Sequence, residues 1–185
     1  VGPARTEIVG PLLQALEDES ELVRNGAVES WIAVSPALQV KATETLVDLI
    51  EAGDPAIQKE VLLILNRFGT RGAAAVPALL DELSKQPESA DITTTLGQIG
   101  KPALEATYAA LRDRKISPQQ VARIIQGMPS TVKRELARKI DDDSPIIRRL
   151  AATTIGDLVP FPKFGVEVLS AGLGDSHAEV RAAAA

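Results

Sequence analysis

The sequence lacks cysteine, has a single histidine and contains few aromatic residues, which make up 3% of its 185 positions. The absence of cysteine excludes disulfides and thiolate metal sites. One histidine excludes most imidazole metal sites and leaves little for nucleophilic catalysis. The longest uncharged stretch runs from Ser30 to Val40 and contains Pro36, so it is too short for a bilayer, which needs about 20 apolar residues. These absences predict a protein that is not an enzyme and that needs no cofactor or metal.

What the chain does contain is typical of a folded core. Hydrophobic residues make up 45% and charged residues 24%, proportions that argue against disorder. Glycine and proline recur at Gly69, Gly100, Pro129 and Pro160, where helices are expected to stop. This spacing suggests a chain divided into units of similar length.

Three similar strings reveal the repeat. Each has an acid and a turn residue followed by a β-branched residue and arginine, and they span residues 18–24, 143–148 and 175–181. The β-branched position recurs every 31 residues or so, close to the period of stacked helical repeats. Positions four and eight further on are mostly apolar, which is the stripe of an α-helix. The β-branched column comprises Val23, Ile57, Ile92, Val121, Ile147 and Val180.

A second helical segment lies between successive members of that column, so each unit is predicted to be a helix pair. Helix starts are marked by a helix-capping residue followed by proline at Asp54, Ser117 and Ser144. We therefore predict an all-α solenoid with almost no sheet. One repeat domain over residues 1–185 would hold six units, approximately 3–35, 36–69, 70–100, 101–128, 129–159 and 160–185.

The pattern Asp-x-x-x-x-Val-Arg-x-x-Ala, followed by Leu-Gly-x-Ile-Gly, resembles HEAT repeats, especially the short bacterial type named after phycobilisome lyases. The resemblance implies a right-handed, armadillo/HEAT-like superhelix and a tendency to bind macromolecules, but it does not imply lyase chemistry. Residues 1–4 look like the tail of a preceding repeat, and Val180 begins a helix that ends early. We expect the chain to be a segment cut from a longer array.

The paired acids and arginines could form an anion site, but their recurrence with the repeat favours a structural Asp–Arg ladder between adjacent units. Its members are Asp18 with Arg24, Asp142 or Asp143 with Arg148, and Asp175 with Arg181.

Four other features have a structural interpretation. Trp31 falls in an apolar column and is expected in the core, and Tyr108 is expected to pack between helices. His177 is predicted to lie exposed in a turn. The carboxylate run 141–143 is predicted to be an exposed turn rather than a calcium loop.

Charge varies along the array. Residues 1–60 carry a net charge of −7, whereas residues 112–139 carry +6. The leading hypothesis is a monomeric, non-catalytic scaffold that binds a protein or peptide, possibly with an acidic segment, on the concave surface of its second helices. Exposed positions two residues after the β-branched column would contact that partner: Asn25, Lys59, Thr94, Arg123 and Arg149.

Two alternatives remain open at this stage. The basic 112–139 patch could bind a nucleic-acid backbone, although the net charge of −5 and pI near 5.0 weigh against it. The chain could also be an accessory module of a larger enzyme. Because the consensus is poorest in the fourth unit, small hinge motions are expected there.

Overall fold

The computed structural model describes residues 8–156, 158 and 160–185, and this part of the chain is helical throughout, without a strand. Two short 3₁₀ segments, Gly69–Ala75 and Lys139–Asp141, accompany the α-helices. Residues 1–4, interpreted above as the tail of a repeat, lie outside the described residues. The α-helices are α1 Val9–Leu16, α2 Glu21–Ala33, α3 Pro36–Ala52, α4 Pro55–Phe68, α5 Val76–Lys85, α6 Ala90–Ile99, α7 Lys101–Arg112, α8 Pro118–Gly127, α9 Ser130–Ala137, α10 Pro145–Gly156, α11 Gly165–Leu173 and α12 Ala178–Ala184.

Consecutive helices pack as pairs, from α1 with α2 to α11 with α12. The second helix of each pair, which is even-numbered, also packs against the second helices of the neighbouring pairs. Such a stack, in which each unit contacts only its neighbours, is an α-solenoid. The predicted all-α solenoid of helix pairs is confirmed.

Local sequence signals explain where several helices begin and end. Ser117 caps α8 in a reciprocal capping box, in which its Oγ accepts the Gln120 N–H while the Gln120 side chain accepts the Ser117 N–H. Pro118 occupies the first turn, where its missing N–H costs no hydrogen bond. Gly53 ends α3 with φ of 76°, a left-handed conformation that glycine adopts without strain.

The core is formed by the apolar stripes of the second helices and the inner faces of the first helices. Trp31 and Tyr108 are both fully buried, as the sequence predicts. Most of the β-branched column is buried too, but Val23 is 40% exposed. This position packs toward the preceding second helix, and α2 has no such helix before it among the described residues.

The stack of second helices is uneven at one place. α8 and α10 pack against each other less extensively than any other neighbouring pair of second helices. A small cavity of about 70 Å³ separates them, lined in part by Ile125 and Leu150. The buried side chains form a large cluster, which crosses this junction and reaches Ala151 of α10, and a smaller one around α11 and α12.

Candidate partner-binding surface

The second helices present one continuous face to solvent, which we call the second-helix face. Its five predicted contact positions lie on α2, α4, α6, α8 and α10. None is buried: three are exposed, and the side chains of the two arginines are about one-third exposed. The structure therefore brings the predicted residues onto one face, where regular stacking repeats the same helix position from unit to unit. The five positions are Asn25, Lys59, Thr94, Arg123 and Arg149.

The two arginines of this column already bind carboxylates within the chain. Arg123 Nη1 lies 3.0 Å from Glu88 Oε2, and Arg149 Nη1 lies 3.3 Å from Glu179 Oε2. Both acids are highly exposed, with 86% of the Glu88 and 76% of the Glu179 side chain accessible. Exposed ion pairs of this kind contribute about 0–1 kcal/mol, so a partner could displace either carboxylate at small cost.

A groove of about 280 Å³ opens on the second-helix face between α4 and α6. It contains two members of the predicted column, Lys59 and Thr94. Leu63, also in the groove, is 43% exposed. Sequence reasoning missed this groove because its depth depends on how two neighbouring helices meet. Its principal lining residues are Lys59, Glu60, Leu63, Arg67, Asp91 and Thr94.

The basic 112–139 segment is largely neutralised by acids from neighbouring units. Half of its cations bind carboxylates that lie outside the segment. Two others make different contacts: Lys133 donates to the Gln126 carbonyl at 2.8 Å, and the guanidinium of Arg138 lies 5.3 Å from the ring centroid of Phe164. The ion pairs are Arg112–Asp142, Lys115–Asp81, Arg123–Glu88 and Lys139–Glu105.

The residues that the structure describes contain neither a metal-binding cluster nor a membrane-spanning helix. Within the described ranges, no group of three or more histidine, aspartate or glutamate side chains is arranged to hold a metal ion. Among the helices given above, none combines the length and apolar character required to cross a bilayer.

The regular helix pairs, the apolar columns and the acid–arginine turns agree with a comparison of the sequence with known families. Residues 9–94 match the family described as HEAT repeats. The match covers slightly less than half of the chain. Folds built from HEAT and armadillo repeats are commonly used for protein interaction and are typically non-catalytic scaffolds. No curated protein matches the sequence.

Two solved structures similar to this chain are both products of protein engineering. One is an engineered protein from the Northeast Structural Genomics Consortium, with 18% identity and a TM-score of 0.35 over 95% of this chain and 76% of that one. The other is a designed armadillo repeat protein, with 17% identity and a TM-score of 0.34 over 95% of this chain and 79% of that one. At these TM-scores, neither superposition supports a detailed comparison.

In these helix pairs, the ladder arginines bind the backbone of their own turn. Arg24 Nη1 donates to the carbonyls of residues 18 and 19 at 2.8 and 3.0 Å. Arg181 does the same with residues 175 and 176, at 2.7 and 2.9 Å. Each arginine thus holds the connection between the two helices of its unit. An anion site is disfavoured, because the guanidinium is already occupied by these carbonyls.

The acids of the ladder also form hydrogen bonds within the turn. Asp18 Oδ1 accepts the Ser20 N–H at 2.8 Å, and the Asp18 carboxylate makes no ion pair with Arg24 among the described residues. In the fifth unit the matching carboxylate belongs to Asp142, whose Oδ1 accepts the Ser144 N–H at 3.0 Å. Asp143 contributes its carbonyl to Arg148 instead. Of the two candidates, Asp142 is therefore the equivalent of Asp18.

The predicted pairing between units is seen at Arg148 and Asp175. Arg148 Nε and Nη2 donate to the two oxygens of Asp175 at 2.6 and 3.1 Å, while Nη1 binds its own turn. This bidentate bond, together with the His177 N–H, holds the pKa of Asp175 well below its usual range. His177 is exposed, and its ring Nδ1 lies 3.2 Å from Arg148 Nη2.

Tyr108 is the remaining buried polar residue to which sequence analysis drew attention. Its ring is fully buried, and desolvation raises the pKa of its hydroxyl above its usual range. The hydroxyl makes no hydrogen bond with any described residue. Tyr108 therefore serves as a packing residue, in agreement with the sequence interpretation.

Proposed function

We propose that this chain is a protein-binding scaffold whose partner lies along the second-helix face. The observation that carries the proposal is the alignment of five unburied polar side chains on five successive second helices. A surface of this kind offers many weak contact points in register, which is how stacked repeats bind extended partners. The predicted concave curvature of this face would increase the area that a partner can cover.

The charge along the column favours a partner with an acidic segment near α8 and α10. Arg123 and Arg149 project there, and each forms an ion pair with an exposed glutamate. A partner carboxylate held by additional contacts would displace that glutamate, since an exposed ion pair contributes little on its own. Complementary charge would also accelerate association.

The test is a pull-down from a lysate of the source organism with the immobilised chain, performed with and without nuclease. The diagnostic variant is Arg123→Glu/Arg149→Glu. The matched control is Lys101→Glu, because Lys101 also forms an exposed ion pair, at 3.0 Å with Glu135, but lies on a first helix. We expect a protein that survives nuclease, is retained by the control and is lost with the double variant. Retention by the double variant would contradict the proposed surface.

Nucleic-acid binding is not supported as a second function. Half of the cations in the 112–139 segment are paired with acids outside it, and the whole sequence carries a net charge of −5, which opposes phosphate binding. The nuclease arm of the pull-down tests this directly, because a nucleic-acid partner would disappear with digestion.

A further inference from the structure

One row on α4 differs chemically from the rest of the second-helix face. Lys59, Leu63 and Arg67 lie four residues apart and are all exposed, so they form one ridge along the helix. With a rise of about 1.5 Å per residue, neighbouring members are about 6 Å apart along the axis. The ridge lines the groove between α4 and α6.

Leu63 is the exception among equivalent positions. The residues at the same place in α2, α6, α8 and α10 are Glu29, Gln98, Gly127 and Thr153. All four are polar or lack a side chain, as expected for a solvated face. A single exposed leucine is ordinary on a protein surface, but this one lies in a groove between two cations, and that combination suits a ligand.

The two cations of the ridge differ from the two arginines of the predicted column. Neither Lys59 nor Arg67 forms an ion pair with any described residue, whereas Arg123 and Arg149 do. At the N-terminal end of the groove, Lys59 shares the surface with Asp91, and Glu60 is held by Arg24 at 3.8 Å. At the C-terminal end, Arg67 is the charged residue lining the groove. The field is therefore mixed at one end and cationic at the other.

An extended peptide matches this ridge in spacing. Alternate side chains of a strand point to the same side and are about 6.6 Å apart, close to the 6 Å between Leu63 and Arg67. We infer that this groove binds an extended segment of a partner protein through an aliphatic side chain on Leu63 and a carboxylate, two residues away, on Arg67. The inference rests on the proposed function and specifies the ligand of one part of its surface.

The experiment uses fluorescein-labelled peptides and the 185-residue chain, with binding measured by fluorescence anisotropy. The probe is Gly-Ser-Leu-Ser-Asp-Ser-Gly. Its matched control, Gly-Ser-Leu-Asp-Ser-Ser-Gly, has the same composition, but its acid points to the opposite side of the strand. We expect the probe to bind about tenfold more tightly than the control, the change produced by one modest additional contact.

Two variants of the chain locate the binding site. Leu63→Ser should weaken probe binding by about tenfold. Arg67→Glu should abolish the preference for the probe and create a preference for Gly-Ser-Leu-Ser-Lys-Ser-Gly. Both residues are exposed, so circular dichroism should show unchanged folding.

Any one of three results would overturn the inference. These are equal affinity for the probe and the control peptide, no binding of the probe at its highest soluble concentration, or probe binding that neither variant changes. The proposed function can be judged separately. A protein captured in the pull-down that is lost with Arg123→Glu/Arg149→Glu but retained by Arg67→Glu would leave the scaffold supported and this groove refuted.

Discussion

The crossing of α6 and α8 allows the helix packing to be tested at a single atom. Gly97 in α6 lies against Gly127 in α8, and the two backbones approach closely enough for the Gln98 side chain to donate to the Gly127 carbonyl at 3.3 Å. A Cβ atom placed on Gly97 would lie 2.8 Å from the Ile124 carbonyl oxygen and 2.9 Å from Gly127 Cα. Since both contacts are with backbone, no side-chain rotation can relieve them.

The cost of Gly97→Ala follows from this geometry. Ordinary van der Waals contact begins near 3.4 Å, so α6 and α8 would have to separate by roughly 0.6 Å. Overpacking a close-packed interior costs about 1–3 kcal/mol, and rigid backbone contacts place this site in the upper part of that range. Replacing a helical glycine by alanine returns up to about 1 kcal/mol. The expected net destabilisation is therefore about 1–2 kcal/mol.

Gly26→Ala is the matched control. Gly26 also lies inside a helix, α2, but a Cβ there would meet no atom within 4 Å. This variant should gain up to about 1 kcal/mol through helix propensity alone. The propensity terms cancel when the two variants are compared, so the difference of about 2–3 kcal/mol measures the steric cost.

Urea unfolding followed by circular dichroism supplies the measurement, with thermal midpoints expected to differ by about 5–10 °C for a chain of this size. If Gly97→Ala were as stable as Gly26→Ala, the close approach of α6 and α8 would be incorrect.

Three further predictions concern hydrogen bonds and the junction between α8 and α10. The folded-state pKa of Asp175 is lowered, so its stabilising contribution is present above the ordinary aspartate pKa of about 4 and is lost as pH falls below it. Urea midpoints at pH 7 and pH 3 should therefore differ less for Asp175→Asn than for wild type. The control is Asp48→Asn at an exposed position, and the same behaviour in this control would contradict the prediction. Ser117→Ala removes the cap of α8 and should cost about 1 kcal/mol in urea unfolding, whereas Ser170→Ala, exposed on α11, should cost nothing; equal effects would argue against the capping box. Hydrogen exchange should show that α9 to α12 open at a lower free energy than α4 to α8, because α8 and α10 pack against each other less extensively than the other second helices do. Uniform protection across the helices would refute this.

The sequence predicts the helix pairs because one stripe recurs with the repeat. Trp31 could be assigned to the core from its column alone, and the structure buries it completely. Val23 shows the limit of the same argument. A column specifies which side of a helix is apolar, but burial depends on whether a neighbouring helix covers that side. Val23 is exposed for this reason, whereas Val180, which has α10 before it, is fully buried.

The ladder and the groove were harder to predict, because they depend on distances between atoms rather than on residue type. A recurring acid and arginine suggest an ion pair with each other. The turn, however, places two carbonyls closer to the arginine and a backbone N–H closer to the acid. Backbone groups in a tight connection must be satisfied, and arginine and aspartate meet that need locally. Arg148 binds its own turn and also reaches Asp175 of the next unit.

The basic segment shows why charge in a solenoid must be counted across the stack. Its partners lie about one repeat away: Arg112 and Asp142 are 30 residues apart, and Arg123 and Glu88 are 35 residues apart. Counting residues 112–139 alone gives a strongly cationic segment, although stacking places acids beside half of its cations. Conversely, Arg67 adjoins the acidic part of the sequence but has no carboxylate bound to it among the described residues. Positive charge without a bound carboxylate therefore also lies in the groove of α4, where segment counting would not have located it.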